Sequence, residues 1–368
     1  MFFKTKESNV SEAAILKVLG EVNDPDLNRD IVSLGFIKNL KIESGKVSFD
    51  VELTTPACPV KEQLKTQCYE KVKALPGVTE VNVKMTANVR STGVQGNRVS
   101  IPGVRNVIAV ASGKGGVGKS TVTINLAVAL AETGARVGLL DADIYGPSIP
   151  LMIGAKEKPI TEAGRISPVI KNGIKVMSMG FLVPENQPVV WRGPMVHGAL
   201  TQFLTQVNWG DLDYLLIDMP PGTGDAQISI SQSAPLSGAI IVTTPQEVSL
   251  LDARKGLRMF QNVKVPILGV IENMAGFICG HCDEVTPIFR QGGGAKIAEE
   301  MSVSLLGSIP LDPRIAEGGD MGTPMVTTHP NAEVSKIYKK IAGDVAAKLS
   351  VFQAQSAGQF KSMTLEWQ

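Results

Sequence analysis

Cysteine is scarce in this chain. Cys58, Cys68, Cys279 and Cys282 are the only four in 368 residues. Four cysteines at such distances do not make a disulfide scaffold, and the opening Met1-Phe-Phe-Lys-Thr-Lys-Glu has early charges and no apolar core of a signal peptide. An excess of either charge is also missing: Lys plus Arg is 36 and Asp plus Glu is 35, a net charge of +1. That balance gives no support to a polyanion-binding protein. No uninterrupted apolar stretch approaches the ~18 residues of a membrane span. What is present is apolar: 43% of residues are hydrophobic and 19% charged, enough to bury a large core. The expectation is a soluble, cytoplasmic protein of a reducing compartment, with no nucleic acid and no membrane among its partners.

The length points to two or three domains at about 100–200 residues each. Residues 1–85 read as a small α+β unit. Ser11 to Leu19 has helical spacing with Ser11 as N-cap, strands follow over Phe36–Ile42 and Lys46–Leu53, then a helix over Pro59–Ala74 and a strand over Val78–Met85. Residues 86–105 lack periodicity and read as a linker. From residue 106 to 350 short apolar runs alternate with helical patterns. The strands are expected at Val107–Ala111, Val137–Leu140, Ile174–Ser178, Tyr214–Ile217, Ala239–Val242 and Ile267–Ile271, with helices at Ser120–Glu132, Met195–Val207 and Val248–Phe260. Such alternation indicates an α/β fold with a mostly parallel sheet, preceded here by the small α+β domain. Residues 351–368 are polar and mixed and are expected to form a loosely held tail.

Gly113-Lys114-Gly115-Gly116-Val117-Gly118-Lys119-Ser120-Thr121 lies between the first strong strand and a helix, and fits G-x-x-x-x-G-K-S. Glycines let backbone N–H groups converge on phosphate oxygens, and the helix N-terminus adds partial positive charge. Lys119 is suited to the β- and γ-phosphates and Ser120 to magnesium. The same glycines satisfy G-x-G-x-x-G with Asp141 downstream, but a dinucleotide fold has no use for Lys119-Ser120-Thr121. This is therefore read as the phosphate loop of a P-loop NTPase.

Lys114, directly after the first glycine, makes the loop resemble the deviant-Walker ATPases, which include MinD, ParA and the nitrogenase iron protein. In that group this lysine reaches the partner's nucleotide, so the resemblance implies an ATP-dependent homodimer. Asp141 and Asp143 close the strand Val137–Leu140, where alternation would point them the same way, and Asp218 closes Tyr214–Ile217 ahead of Met219-Pro220-Pro221-Gly222-Thr223-Gly224-Asp225. Carboxylates at such a sheet edge suit magnesium and the γ-phosphate, although strand-end aspartates also serve as ordinary caps and turn formers. By the resemblance, Asp143 orients the attacking water, while Asp141 and Asp218 serve the magnesium shell. Asn273 resembles the family's adenine-contacting asparagine, and the missing N-K-x-D signature favours ATP over GTP.

Cys279-Gly280-His281-Cys282 is a single C-x-x-C. Two thiolates cannot close a tetrahedral metal site alone. The pair reads as a redox couple, as two structural cysteines, or as half of a four-thiolate site that a symmetric dimer completes for a 4Fe–4S cluster. With the P-loop, Lys114, Asp141 to Ser148 and Asp218 to Asp225 in this order, the chain resembles the Mrp/ApbC family of iron–sulfur cluster carrier ATPases. Residues 1–85 resemble the iron–sulfur-assembly domain often fused in front of it. The resemblance implies ATP, Mg2+ and a 4Fe–4S cluster, with Cys279 and Cys282 as cluster ligands, a scaffold protein as donor and apoproteins as clients. Thr54-Thr55-Pro56-Ala57-Cys58-Pro59 sets Cys58 at a strand-to-helix turn, a position that can favour thiolate. The resemblance implies that Cys58 is a candidate for cluster or client contact; a buried or idle cysteine is the other reading. Cys68, inside a helix, reads as structural.

Two other functions share the phosphate loop. A MinD/ParA-type positioning ATPase needs a surface-binding element, and the apolar spacing of Ile337, Ile341, Val345 and Leu349 equally suits a core-packed helix. An electron-transfer ATPase of the nitrogenase iron-protein type does not use a C-x-x-C for its cluster.

Overall fold

A computed structural model describes residues 10–91, 99–162, 164–182, 193–279, 281–282 and 284–365. The chain forms two compact units, residues 1–90 with 346–368, and residues 91–345.

In the first unit, Ser11 caps the helix Glu12–Leu19 by accepting a hydrogen bond from the Ala14 amide (3.2 Å). The strands Ile37–Glu43 and Lys46–Leu53 pair antiparallel, and Glu80–Ala87 joins the second of them in parallel. In Lys46–Leu53 the alternation expected from sequence is realised: Val47, Phe49, Val51 and Leu53 are buried. They pack with Ile15 and Leu19 of the first helix and Leu64, Cys68 and Val72 of the helix Lys61–Lys73. Each buried aliphatic or aromatic side chain contributes about 1.5–3 kcal/mol.

The second unit is built on a nine-stranded sheet. Its seven parallel strands run in the order Ile174–Ser178, Val137–Asp141, Leu212–Asp218, Val104–Ala111, Gly238–Thr243, Ile267–Ile278 and Leu305–Leu311. Short antiparallel strands, Val169–Lys171 and Val285–Thr286, add to Ile174–Ser178 and Ile267–Ile278. Every residue of Val137–Asp141, Leu212–Asp218 and Gly238–Thr243 is buried, as strands covered on both faces require. The helices Lys119–Glu132, Gly193–Thr205 and Glu247–Asn262 lie where helical spacing places them, within two residues at each end.

Three expectations change. The strand after Pro266 does not stop at Ile271 but continues to Ile278, so Asn273 lies inside it. The strand Val137–Asp141 ends before Asp143, which sits in the following turn, so strand alternation does not govern its direction. The last helix runs from Glu333 to Leu365, and the stretch from Ala354 is helical as far as Leu365. In that helix Tyr338, Ile341, Val345 and Leu349 are buried. Its apolar stripe is core-packed, with Gly307 leaving room for Ile341, whose Cδ1 would lie 2.8 Å from a Cβ there.

The strand Val104–Ala111 is central. The chain leaves it toward one side of the sheet for Val137–Asp141 and later fills the other side with Gly238–Thr243. Ligand sites of open α/β sheets form outside the C-terminal strand ends at this kind of switch point.

Candidate nucleotide site and cysteine hairpin

The phosphate loop turns out of Val104–Ala111 and enters the helix Lys119–Glu132. Gly116 and Gly118 both have φ of +78°, the left-handed backbone that glycine adopts without steric cost. Around Gly115 and Gly116 there is open space: a Cβ on Gly115 would touch only Pro221 at 4.0 Å, and one on Gly116 would meet nothing within 4 Å. Gly113 and Gly118 are the reverse. A Cβ on Gly113 would lie 2.2 Å from the Asp252 carbonyl carbon, and one on Gly118 2.3 Å from Asn273 Nδ2. The loop is thus pressed from below and open above, as a phosphate cradle must be.

At its end the reactive groups converge. Lys119 Nζ lies 2.7 Å from Asp218 Oδ2, with both side chains buried. Ser120 Oγ donates to Asp218 Oδ2 (2.6 Å) and Thr123 Oγ1 donates to Asp218 Oδ1 (2.7 Å). Asp141 stands beside Asp218 on the neighbouring strand. It is 1% exposed and accepts from Ser178 Oγ (2.8 Å) and the Asp143 amide (3.1 Å). Burial first, then the charge of Asp218, push its carboxyl up to about 7, against the pull of Ser178 and Lys119. Burial also raises Asp143 above the ordinary carboxylate range, opposed by Lys119.

A hydroxyl and two carboxylates are oxygen donors suited to magnesium, and the Asp141–Asp218 repulsion is what a divalent cation would relieve. The residues fit that ion. Thr121 follows on the helix, and its carbonyl accepts from Asn125 Nδ2 (2.9 Å). Lys114 is half-buried, and its carbonyl accepts from Ser112 Oγ (2.9 Å).

Sequence reasoning missed Thr123, Ser178 and Gln227. Gln227 is 1% exposed, and its Nε2 donates to the Pro220 carbonyl (2.6 Å) and the Ser112 carbonyl (3.3 Å), tying the segment after Asp218 to the start of the phosphate loop. Thr123, a hydroxyl four residues after Lys119 on a buried helix face, was a readable signal. Ser178 and Gln227 depend on strand order and loop path, which no local pattern reveals. A cavity of about 480 Å³ opens beyond this segment, lined by Tyr145, His197, Leu200, Asp225 and Ser229 among others.

Asn273 is buried directly under the loop, where its Nδ2 donates to the Val117 carbonyl (2.9 Å). In this structure its amide braces the phosphate loop.

The cysteine pair lies away from these groups in sequence, at the end of the strand Ile267–Ile278. Phe277 and Ile278 pair with Thr286 and Val285, and the Cys279 amide donates to the Glu284 carbonyl (3.0 Å), forming a hairpin. Cys279 is half-buried and Cys282 exposed. Among the described residues no cluster of three or more His, Cys, Asp or Glu side chains is arranged to hold a metal ion.

Cys58 departs from its expectation. Burial pushes its thiol up to about 11, with Asp24 and Asp26 adding to the rise against the Val60 amide and Lys61. The turn before the helix Lys61–Lys73 therefore does not favour thiolate. Cys68 is fully buried, and burial raises it to about 11 as well.

No helix among the described residues is long and apolar enough to cross a membrane. Residues 103–346 match the family model described as NUBPL iron-transfer P-loop NTPase, and residues 12–83 match that of an iron–sulfur cluster assembly protein. The chain is 51% identical to an iron–sulfur cluster carrier protein of Synechocystis over 92% of its own length and 98% of that protein's. It is 42% identical to one of Escherichia coli over 94% of each. A nucleotide-binding protein from Archaeoglobus fulgidus, solved in complex with ADP, matches with a TM-score of 0.55 and 42% identity over 60% of this chain and 88% of that one. A cradle built for phosphates, a fused assembly-type unit and near full-length matches agree, and the chain belongs to the iron–sulfur cluster carrier family of P-loop NTPases.

Proposed function

We propose that this protein is an ATP-dependent iron–sulfur cluster carrier: it hydrolyses ATP, holds a labile 4Fe–4S cluster between two copies of the chain, and passes it to apoproteins. One observation carries this reading. The ATPase unit presents a C-x-x-C on a surface hairpin, with Cys279 half-buried and Cys282 exposed, and a two-fold dimer raises two thiolates to the four a cubane cluster takes. The cluster is cargo, received from a scaffold protein and released to clients. The positioning-ATPase alternative has no use for this hairpin or for the N-terminal unit.

The family resemblance, together with the convergence on Asp218, supports the following roles. The backbone amides of Gly113 to Gly118 and Lys119 would bind the phosphates, with Thr121 next in line on the helix. Lys119 now neutralises Asp218, and on binding ATP it would turn to the phosphates. Ser120, Asp218 and Asp141 would hold magnesium, which when bound supplies positive charge against the β- and γ-phosphate oxygens. Asp143, raised by burial, would orient the attacking water. Asn273 would serve adenine recognition only after giving up part of its present role as a brace. Lys114 would cross to the partner's nucleotide. Two features support a second copy over this face: Val248 and Leu251 are 67% and 54% exposed, and their helix carries Asp252, on which Gly113 packs. The reading places the protein in the cytoplasm, with no membrane or nucleic-acid partner.

Replacing both Cys279 and Cys282 by alanine tests the cargo site. After anaerobic incubation with iron and sulfide, the wild-type chain is expected to gain the broad visible absorbance of a 4Fe–4S cluster, and the double variant to stay colourless while still hydrolysing ATP. An undiminished cluster in the variant sinks the proposal.

A further inference from the structure

One strand joins the two sites. Ile267–Ile278 carries Asn273 under the phosphate loop and, six residues later, leads into Cys279. Its pairing with Gly238–Thr243 ends at Glu272. Beyond that point Leu305–Leu311 lies along one side and, at Phe277 and Ile278, the short strand Val285–Thr286 along the other. The register slips in between: Asn273 pairs with Ile309 and Phe277 with Leu311, so two extra residues bulge out of this strand. Met274 opens the bulge with φ of +57°, the left-handed backbone that a residue with an unbranched apolar side chain rarely adopts. Bulges beside functional sites commonly re-aim the chain beyond them.

The return leg is fastened at the same place. The Gly294 amide donates to the Glu272 carboxylate, one residue before Asn273. Gly292, at φ +79°, turns the chain into the helix Gly293–Glu300, and a Cβ there would meet nothing within 4 Å. The segment between Asn273 and Gly294 is therefore a hairpin clamped at Glu272 and Gly294, with left-handed residues, Met274 and Gly292, just inside the clamp. Its input is the phosphate loop. Asn273 Nδ2 holds the Val117 carbonyl, and Met274 Cε lies 3.8 Å from where a Gly118 Cβ would stand.

We propose that Met274 is a positioning residue for the cysteine pair: it is the hinge through which nucleotide at the phosphate loop sets the orientation of Cys279 and Cys282. This rests on the carrier reading and gives it a route. Nucleotide pulls on Val117 and Gly118, Asn273 moves with them, and the bulge turns that shift into a swing of the hairpin, because neither leg can slide past the clamp at Glu272.

The test uses the full, cluster-free chain and MgADP. Alkylation of Cys279 and Cys282 by iodoacetamide is tracked residue by residue by mass spectrometry, with nucleotide binding measured on the same samples. In the wild type, MgADP is expected to change the Cys279 rate by about threefold or more. Met274→Gly, which loosens the hinge, should lose that dependence while keeping nucleotide affinity within about twofold, and Met274→Asn, which tolerates the left-handed backbone, should keep it. A Met274→Gly chain that binds MgADP and still shows the full wild-type response overturns the proposal. Should the glycine variant fail to fold, hydrogen exchange in the wild type decides: MgADP must alter protection at Phe277 to Cys279, and no change there overturns it too. A wild type that binds no nucleotide overturns the ATPase reading itself. One that binds it without moving the hairpin overturns only the hinge.

Discussion

Lys119, Ser120 and Thr123 all converge on the two carboxylate oxygens of Asp218. Removing the cation leaves a buried carboxylate with two hydroxyl donors and no counter-charge. Lys119→Ala is expected to lower ATP turnover by at least about 100-fold in a phosphate-release assay. It should also destabilise the nucleotide-free chain by about 3–5 kcal/mol in denaturant melts, as breaking a buried pair does. Asp141 gives a pH signature. Its carboxyl is raised from 3.8 to about 7, so the unfolded chain ionises before the folded one, and stability is lost as pH climbs through that window. In EDTA, without nucleotide, Asp141→Asn should therefore melt higher relative to wild type at pH 8 than at pH 5. The loss it removes is at most about 4 kcal/mol. An equal gap at both pH values contradicts the buried, repelled state of this acid. Cys58 shows the limit of reading a residue from its position in the sequence. A strand-to-helix turn can lower a thiol pKa, but here burial dominates and raises it.

The phosphate loop was legible almost entirely, because its function demands residue types at fixed spacing. The tertiary reason for its glycines was not. Gly118 must lack a Cβ because Asn273 sits 2.3 Å from that position, and because its φ is +78°. Gly118→Ala should weaken ADP binding at least about tenfold by calorimetry, by displacing Asn273 and straining the turn. Unchanged affinity would mean that Asn273 does not brace the loop. The strands Val137–Asp141, Leu212–Asp218 and Gly238–Thr243 announced themselves through the short apolar runs Val137–Leu140, Tyr214–Ile217 and Ala239–Val242 inside them. Leu305–Leu311 did not, since Gly307, Ser308 and Pro310 interrupt it and its edge position needs less apolar surface. The second half of Ile267–Ile278 was hidden for a related reason. Asn273-Met274-Ala275-Gly276 breaks the strand pattern where the bulge forms, so the Cys279 hairpin could not be foreseen as a continuation of a sheet strand.

At the scale of the molecule, the near-balanced charge and the four scattered cysteines excluded more than they identified. They become informative once the fold places one C-x-x-C on the surface of the P-loop NTPase unit and buries Cys68 in the other. The central claim is that two chains share one cluster. It is tested most directly by native mass spectrometry of the anaerobically reconstituted protein, which reports subunit count and iron content together. A dimer carrying four irons and four sulfides is expected, converting to an iron-free species when Cys279 is replaced by alanine. A monomer that retains a complete cluster, or a dimer with one cluster on each chain, would contradict it.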